Sequence, residues 1–263
     1  MKTNLYPFGG FRKITLFIAL LAGIQMYCFG QGITVYQYRH VPADKVGEFI
    51  ERETTYWSKV AEKAMESGNL TFWALLQKMG GYDLPNSSNF LFVNTFNDVD
   101  AASEVWDPSA VFPNVSMDKM ETNSLSTVTS TFFLRNEHWE QAADAQPEDF
   151  QYLAMVYHNS SAPAQLIELE KTHWAPFIKQ AMDDKQTTQV GWGNATVLSP
   201  SGDDIKFNTV SYDIYPSMQE ALNPTWNENA VMPQEGLNEI GEIELNRRGS
   251  VVYRLVKVVQ PGN

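Results

Sequence analysis

One segment of the chain occurs twice, and this repetition constrains the fold more than any other feature. Residues 49–66 align with residues 166–183 at an offset of 117, with seven identities in eighteen positions. The identical pairs are Ile50/Ile167, Glu51/Glu168, Glu53/Glu170, Thr55/Thr172, Trp57/Trp174, Ala64/Ala181 and Met65/Met182. Residues 110–113 and 230–233 match again at an offset of 120. Such self-similarity predicts one structural unit of about 110 residues, duplicated in tandem.

Each copy has the same predicted order of elements. Runs of β-branched and aromatic residues predict opening strands over residues 33–40 and 152–158. Helical spacing of apolar residues then predicts helices over residues 44–67 and 163–184. Two strands, two short helices separated by a Pro and a last strand complete each copy. The order β-α-β-β-α-β is typical of ferredoxin-like units.

The predicted fold class is therefore α+β, with two ferredoxin-like repeats. A single sheet of this kind covers one face with its helices and leaves the other bare. We therefore expect the two antiparallel sheets to pack face to face as a pseudo-dimeric barrel. The predicted boundaries are residues 31–139 for the first repeat, 140–149 for an Ala-, Gln- and acid-rich linker, and 150–263 for the second repeat.

The first thirty residues have the composition of a secretory signal peptide. Lys2, Arg12 and Lys13 precede a short apolar run, and small residues precede a cleavage site before Gln31. The alternatives are a membrane anchor, for which the run is short, and a lipoprotein that is modified at Cys28. The sequence favours a secreted or periplasmic protein with no membrane span after cleavage.

Charge and cysteine content narrow the classes of function. The net charge is −12, and it becomes −15 when the predicted signal peptide is removed. A chain this acidic is repelled by nucleic acids and anionic lipids, so we expect no nucleic-acid partner. The one cysteine lies in the signal peptide, so the mature chain has neither a disulfide nor thiol chemistry.

The chain resembles the dimeric α+β barrel superfamily in its repeated β-α-β-β-α-β order. Within that superfamily, the helix that carries Trp57 or Trp174 and the strand that carries Trp73 or Trp192 look most like NIPSNAP-type and EthD-type domains. The resemblance implies a monomer that contains its own pseudo-dimer, with homo-oligomers as a further option. Members of the superfamily include cofactor-free monooxygenases, haem-binding enzymes and proteins with no known activity, so the fold alone does not fix a function.

Two repeated glutamates are the first candidates for chemistry. Glu53 and Glu170 lie on the apolar stripe of their helices, where a carboxylate is costly unless it is hydrogen-bonded. Burial would raise the pKa of either group and make it a usable acid or base. The simpler interpretation is a structural carboxylate bonded to a Tyr, a Trp or the backbone.

Histidines and aromatic residues supply the remaining candidates. The catalytic candidates are His173, Glu170 and His158, and the candidate ligand-binding residues are Glu53, Tyr56, Trp57, His40, Trp174 and Trp192. His40 and His158 are expected to close the first strand of their copies. The repeated Trp residues are more typical of core packing than of a ligand platform. No sequence motif indicates a metal site.

Two functions remain open. One is an exported binding or interaction protein without catalysis, which takes a small molecule in a pocket between helix and sheet. The other is an oxidoreductase or monooxygenase of the dimeric α+β barrel type that acts on a small aromatic or apolar substrate. No cofactor is predicted from the residues, and haem is the alternative that the resemblance adds.

Overall fold

A computed structural model describes residues 32–80, 87–202, 205–247 and 250–261. The predicted signal peptide lies outside the described residues. The strands of the described part are β1 (Ile33–His40), β2 (Leu70–Lys78), β3 (Phe90–Phe96), β4 (Thr127–Gln141), β5 (Tyr152–Ser160), β6 (Gly191–Ser199), β7 (Thr209–Tyr215), β8 (Glu244–Arg247) and β9 (Val251–Val259). All of their pairings are antiparallel.

Eight of these strands close into a barrel. Their order is β7-β6-β4-β1-β3-β2-β9-β5, and pairing of β5 with β7 closes the ring. Strand β8 pairs with the end of β5, outside the ring. The predicted mixed α+β class and the barrel are confirmed.

The strands of the two halves join at their edges. Pairing of β2 with β9 and of β4 with β6 merges the halves into one continuous sheet. Strand β4 runs to Gln141, two residues into the predicted linker. The expected face-to-face packing is therefore realised as opposite walls of one barrel.

The long helix of each half is interrupted at the same point. Helix α1 (residues 46–66) comprises α-helical Val46–Arg52, a π-helical turn Glu53–Trp57 and α-helical Ser58–Glu66. Helix α2 (residues 163–183) comprises Pro163–Leu169, a π-helical turn Glu170–Trp174 and Ala175–Asp183. Each π turn begins at the repeated Glu. Single π turns inside α-helices are rare and frequently occur at functional sites.

The later segments of the two halves differ. The second half forms α3 (Met218–Leu222) and α4 (Gln234–Ile243). The described residues of the first half form only 3₁₀ turns in this region, at Pro108–Ala110, Met117–Lys119 and Asn123–Leu125. The predicted short α-helices of the first repeat are therefore wrong. Pro108, which stands where the second half has Glu228, and the polar residues around it disfavour a helix here.

The barrel interior is filled by side chains. Its buried residues are Tyr36, Tyr38, Leu76, Leu91, Leu134, Met155, Tyr157, Ala195, Val197, Phe207, Val210 and Tyr253. The hydroxyls of Tyr38 and Tyr157 lie 2.9 Å apart, which joins the two halves across the interior. Burial raises the pKa of both phenols, so they remain protonated. No described helix is long and apolar enough to cross a membrane.

Candidate functional site

Glu170 lies at the centre of a buried polar cluster between α2 and the sheet. Its Oε2 accepts a 2.8 Å hydrogen bond from Asn194 Nδ2, and its Oε1 accepts a 2.7 Å bond from Ser211 Oγ. Asn194 and Ser211 face each other on β6 and β7. Burial raises the pKa of Glu170, while nearby His158 and the two hydrogen bonds act in the opposite direction.

His158 and Glu244 form a second pair in the same cluster. His158 Nδ1 lies 2.7 Å from Glu244 Oε1, and both side chains are largely buried. An ionised carboxylate can only accept a hydrogen bond, so the pairing assigns the proton to Nδ1. In its neutral form, the ring then carries its lone pair on Nε2. A carboxylate that orients a histidine in this way leaves the other ring nitrogen available as a base.

Three buried polar atoms near this pair have no hydrogen-bond partner among the described residues. They are His158 Nε2, Asn194 Oδ1 and Thr209 Oγ1. Thr209 faces His158 across β5 and β7, and Ser211 lies two residues further along the same face of β7. Unpaired buried polar atoms are costly and call for a partner. Together these atoms offer two acceptors and a hydroxyl to a bound molecule.

The matching glutamate of the first half has a poorer polar environment. Glu53 Oε1 accepts one side-chain hydrogen bond, from Thr122 Oγ1 at 2.7 Å. Burial raises the pKa of Glu53 to about 7, although Thr122 and the positive charge of Arg39 oppose this shift. Both glutamates are buried, as predicted. Their expected Tyr, Trp or backbone partners are wrong, because hydroxyl and amide side chains take that place.

The strand register corrects the expected equivalence of His40 and His158. Phe90, the first residue of β3, pairs with Arg39, whereas Thr209, the first residue of β7, pairs with His158. Arg39 therefore occupies the place of His158 in the first half. Side chains alternate between faces along a strand, so a shift of one residue moves His40 to the opposite face. His40 Nδ1 instead lies 2.7 Å from the backbone oxygen of Ser87.

The other predicted site residues lie outside the polar cluster. His173 packs against Gly236 of α4, where an added Cβ would lie 2.4 Å from the His173 Cβ. Its counterpart Tyr56 makes an edge contact with Phe112. Trp57 Nε1 donates to the Met120 backbone oxygen. Trp174 and Trp192 belong to an apolar cluster under α2.

Sequence reasoning missed Asn194, Thr209, Ser211 and Glu244 as members of the site. Asn194, Thr209 and Ser211 are polar residues at positions that alternate with apolar ones, which normally indicates a solvent-exposed strand face. Helix α2 buries that face instead. Glu244 is brought to His158 by the pairing of β8 with β5. One difference between the halves could have indicated these residues. Polar Asn194 and Ser211 stand at the positions that apolar Leu75 and Phe92 occupy in the first half.

Two surface cavities occur elsewhere on the described part. A groove of about 590 Å³ lies beside the end of α1 in the first half. A smaller cavity of about 260 Å³ lies between Lys78–Met79, α3 and the start of β9. Neither is lined by His158, His173 or Glu170, and the side chains of His158 and Glu170 are buried.

The comparisons with known proteins bear on the fold. No family model and no curated protein matches the chain. Among solved structures, an anthrone oxidase-like protein matches with a TM-score of 0.56 and 12% identity, over 89% of this chain and 95% of that one. A proposed monooxygenase from Lactobacillus acidophilus matches with a TM-score of 0.53 and 11% identity, over 88% and 96%.

A haem-binding protein from Thermus thermophilus is more distant, with a TM-score of 0.47 and 10% identity over 86% of this chain and 91% of that one. None of these matches bears on the finer resemblance to NIPSNAP-type or EthD-type domains. The structural neighbours are thus anthrone oxidase-like and monooxygenase-type proteins, and what this chain shares with them is the dimeric α+β barrel fold.

Proposed function

We propose that this protein is an exported oxygenase of the α+β barrel type that acts on a small aromatic substrate. The observation that carries the proposal is the His158–Glu244 pair, in which Glu244 holds Nδ1 and leaves a buried, unpartnered Nε2. The fold is one that anthrone oxidase-like and proposed monooxygenase structures share. Export rests on the composition of residues 1–30.

The proposed reaction needs only a base and dioxygen. His158 Nε2 takes a proton from an acidic C–H or O–H group of the substrate, and the resulting carbanion or phenolate reacts with O2. In the net step a CH2 group and O2 give a carbonyl group and water, so the carbon loses the four electrons that O2 gains. The abstracted proton leaves with the water. General-base catalysis of this kind contributes about 10²–10⁴-fold to a rate.

The surrounding residues have positioning roles in this proposal. Glu244 fixes the ring and stabilises its protonated form. Asn194 Oδ1 and Thr209 Oγ1 would bind polar hydrogens or the oxygen of the substrate. Glu170 holds Asn194 and Ser211 in place through its two hydrogen bonds. The buried cluster is covered by α2, α4 and β8. In this proposal, part of these elements moves away when the substrate enters.

Haem does not fit the described residues. A porphyrin needs a large slot with an axial ligand directed into it. His158 lies in a closed polar cluster, and His173 packs on Gly236. Neither described cavity reaches a histidine. The proposed reaction therefore does not involve haem.

The second candidate is a binding protein without catalysis. It is favoured by the closed state of the cluster, since Glu170 and Asn194 are at most 6% exposed. In that case His158 and Glu244 would only stabilise the fold. The two candidates differ in whether the loss of Nε2 abolishes a reaction or only lowers stability.

We also infer that the chain is a duplicated ferredoxin-like unit. The strand orders β4-β1-β3-β2 and β9-β5-β7-β6 are the same in both halves. The π turns at Glu53 and Glu170 support the same inference. Residues 31–139 and 150–263 would then be the two copies.

Anthrone is a suitable probe of the proposed function, because its CH2 group is acidic and its oxidation to a quinone consumes O2. The protein should accelerate anthrone-dependent O2 consumption above the spontaneous rate. His158→Gln should lower this rate by at least about a hundredfold. Glu244→Gln should lower it less and alter the pH profile.

The control variant is Arg39→Gln, which changes the equivalent position of the first half. Its rate should match that of the unmodified protein. Equal rates for His158→Gln and Arg39→Gln would contradict the proposal and favour the binding protein. Circular dichroism and thermal unfolding would verify that both variants fold.

A further inference from the structure

The groove beside α1 arises from one difference between the halves. In the second half, the ring of Phe177 stacks on Trp226 at 5.7 Å and 14° between planes. Val60 takes the place of Phe177 in the first half, and Trp106 takes that of Trp226. Without a ring at residue 60, Trp106 contacts Phe96 instead. The groove thus lies beside Val60, at the position where the second half has the stacked ring of Phe177.

The groove has the size and floor of a small-molecule site. Its volume of about 590 Å³ lies within the range of about 300–1,000 Å³ that ligand pockets have. Val60 and Ala64 of α1, together with Ala101 and Val105, form an apolar floor. Because Val60 and Ala64 are only 1% and 5% exposed, Ala101 and Val105 supply most of the accessible apolar surface. The floor suits a compact apolar body.

The rim of the groove has a net negative charge. Three carboxylates line it, on Asp98, Glu104 and Asp107, against the single cation of Lys63. The Lys63 ammonium group is itself paired with Glu66 at 2.5 Å. A bound cation would therefore meet uncompensated negative charge, whereas an anion would be repelled.

An unpaired amide gives the groove a further polar feature. Asn69 lines the groove, and its Oδ1 accepts a hydrogen bond from the Asp98 backbone N–H at 2.8 Å. Its Nδ2 is buried and has no partner among the described residues. A ligand oxygen would satisfy this donor.

We propose that this groove binds a small organic amine with an apolar body, an ammonium group and one acceptor oxygen. The site is separate from the His158–Glu244 cluster and does not depend on the proposed oxygenase activity. Among the described residues of the second half, Phe177 and Trp226 stack on each other at the corresponding positions. The site thus gives the first half a role that the duplicated copy lacks.

The probe is 2-amino-1-phenylethanol, measured by isothermal titration against the folded full-length mature chain. Val60→Phe should abolish binding by filling the groove, and the matched control Phe177→Val should leave it unchanged. Glu104→Gln, at an exposed position that should not affect folding, should weaken binding about twofold to fivefold. The anionic analogue 3-phenylpropionate should bind more weakly than the amine.

A second readout places the ligand within the groove. The side-chain amide signals of Asn69 and Asn97 should shift on titration, and those of Asn194 should not. Binding that is equal for the amine and 3-phenylpropionate, or that survives in a folded Val60→Phe variant, would overturn the proposal. Loss of anthrone oxidation in His158→Gln would leave this binding intact, so the two proposals fail independently.

Discussion

The two repeated glutamates occupy the same position in their halves, yet their surroundings differ. Glu170 has Asn194 and Ser211 beneath it. Glu53 has Thr122 as its side-chain hydrogen-bond partner, and the positions of Asn194 and Ser211 are taken by Leu75 and Phe92. The long helices of the two halves thus share a buried carboxylate, whereas the sheet residues beneath it differ.

The two halves therefore share the geometry of the helix around the glutamate but differ in the polar residues that surround it. Both carboxylates begin a π-helical turn, so the distortion of the helix belongs to the unit itself. The histidine, the second carboxylate and the unpaired polar atoms occur in the second half. The groove lined by Asn69 occurs in the first. Each half therefore has its own candidate site, in a different place.

The largest expected effect is the loss of folding stability when either of the two buried carboxylates is removed. Glu170→Leu leaves two buried donors without a partner, and each such group costs about 1–3 kcal/mol. We expect a loss of about 4 kcal/mol in the free energy of unfolding, measured by urea denaturation. Glu53→Leu orphans only Thr122 and should cost about 1 kcal/mol. Equal losses would mean that the polar environment of Glu170 does not stabilise it.

The next effect is a dependence of stability on pH. Burial raises the pKa of Glu53 from 4.5 to about 7. The folded state then holds a proton that the unfolded state releases between these values, so stability falls as the pH rises through this window. The loss is at most about 3 kcal/mol. Urea denaturation at pH 5 and pH 8 should show this decrease in the unmodified protein and a smaller one in Glu53→Gln.

A smaller effect concerns the contact between His173 and α4. An added Cβ at Gly236 would overlap the His173 side chain at 2.4 Å. Gly236→Ala should lower the free energy of unfolding by about 2 kcal/mol, which is typical of overpacking. In a His173→Gly background, which lacks the overlapping Cβ, Gly236→Ala should cost much less. An additive double variant would show that the two residues are not in contact.

The smallest expected effect on stability comes from removing the Thr122 hydroxyl, which donates a hydrogen bond to Glu53. Thr122→Val removes one hydrogen bond to a buried carboxyl and should cost about 1 kcal/mol. The same change should raise the pKa of Glu53 further, because Thr122 now lowers it. The pH at which stability falls should therefore move upward. No movement would mean that Thr122 does not bond to the carboxylate.

The sequence predicted the periodic parts of the molecule well. Repeated residues and β-branched runs located β1, β3 and both long helices, and the apolar stripe predicted that Glu53 and Glu170 are buried. These features depend on local spacing, which the sequence displays directly. The short helices of the first half failed where its sequence departs from the second half, as at Pro108, which stands where the second half has Glu228.

The site was only partly predictable, because pairing between distant strands decides its members. His158 and Glu170 were among the candidates, but Glu244 reaches His158 only through the β5–β8 pairing. His40 was expected to match His158, but the register is shifted by one residue. A shift of one residue moves a side chain to the other face of its strand. Sequence offset alone cannot fix a register, since loops between the repeats change length.

The most direct test of the account is nitrogen NMR of the histidines with and without the phenolic probe 1-naphthol. The chain has four histidines, so His158 can be assigned by comparison with His158→Gln. The account predicts a proton on Nδ1, and an Nε2 signal that moves when the probe binds while His40 does not respond. An Nε2 that carries the proton, or one that ignores the probe while other groups respond, would contradict the assignment of His158 as the base.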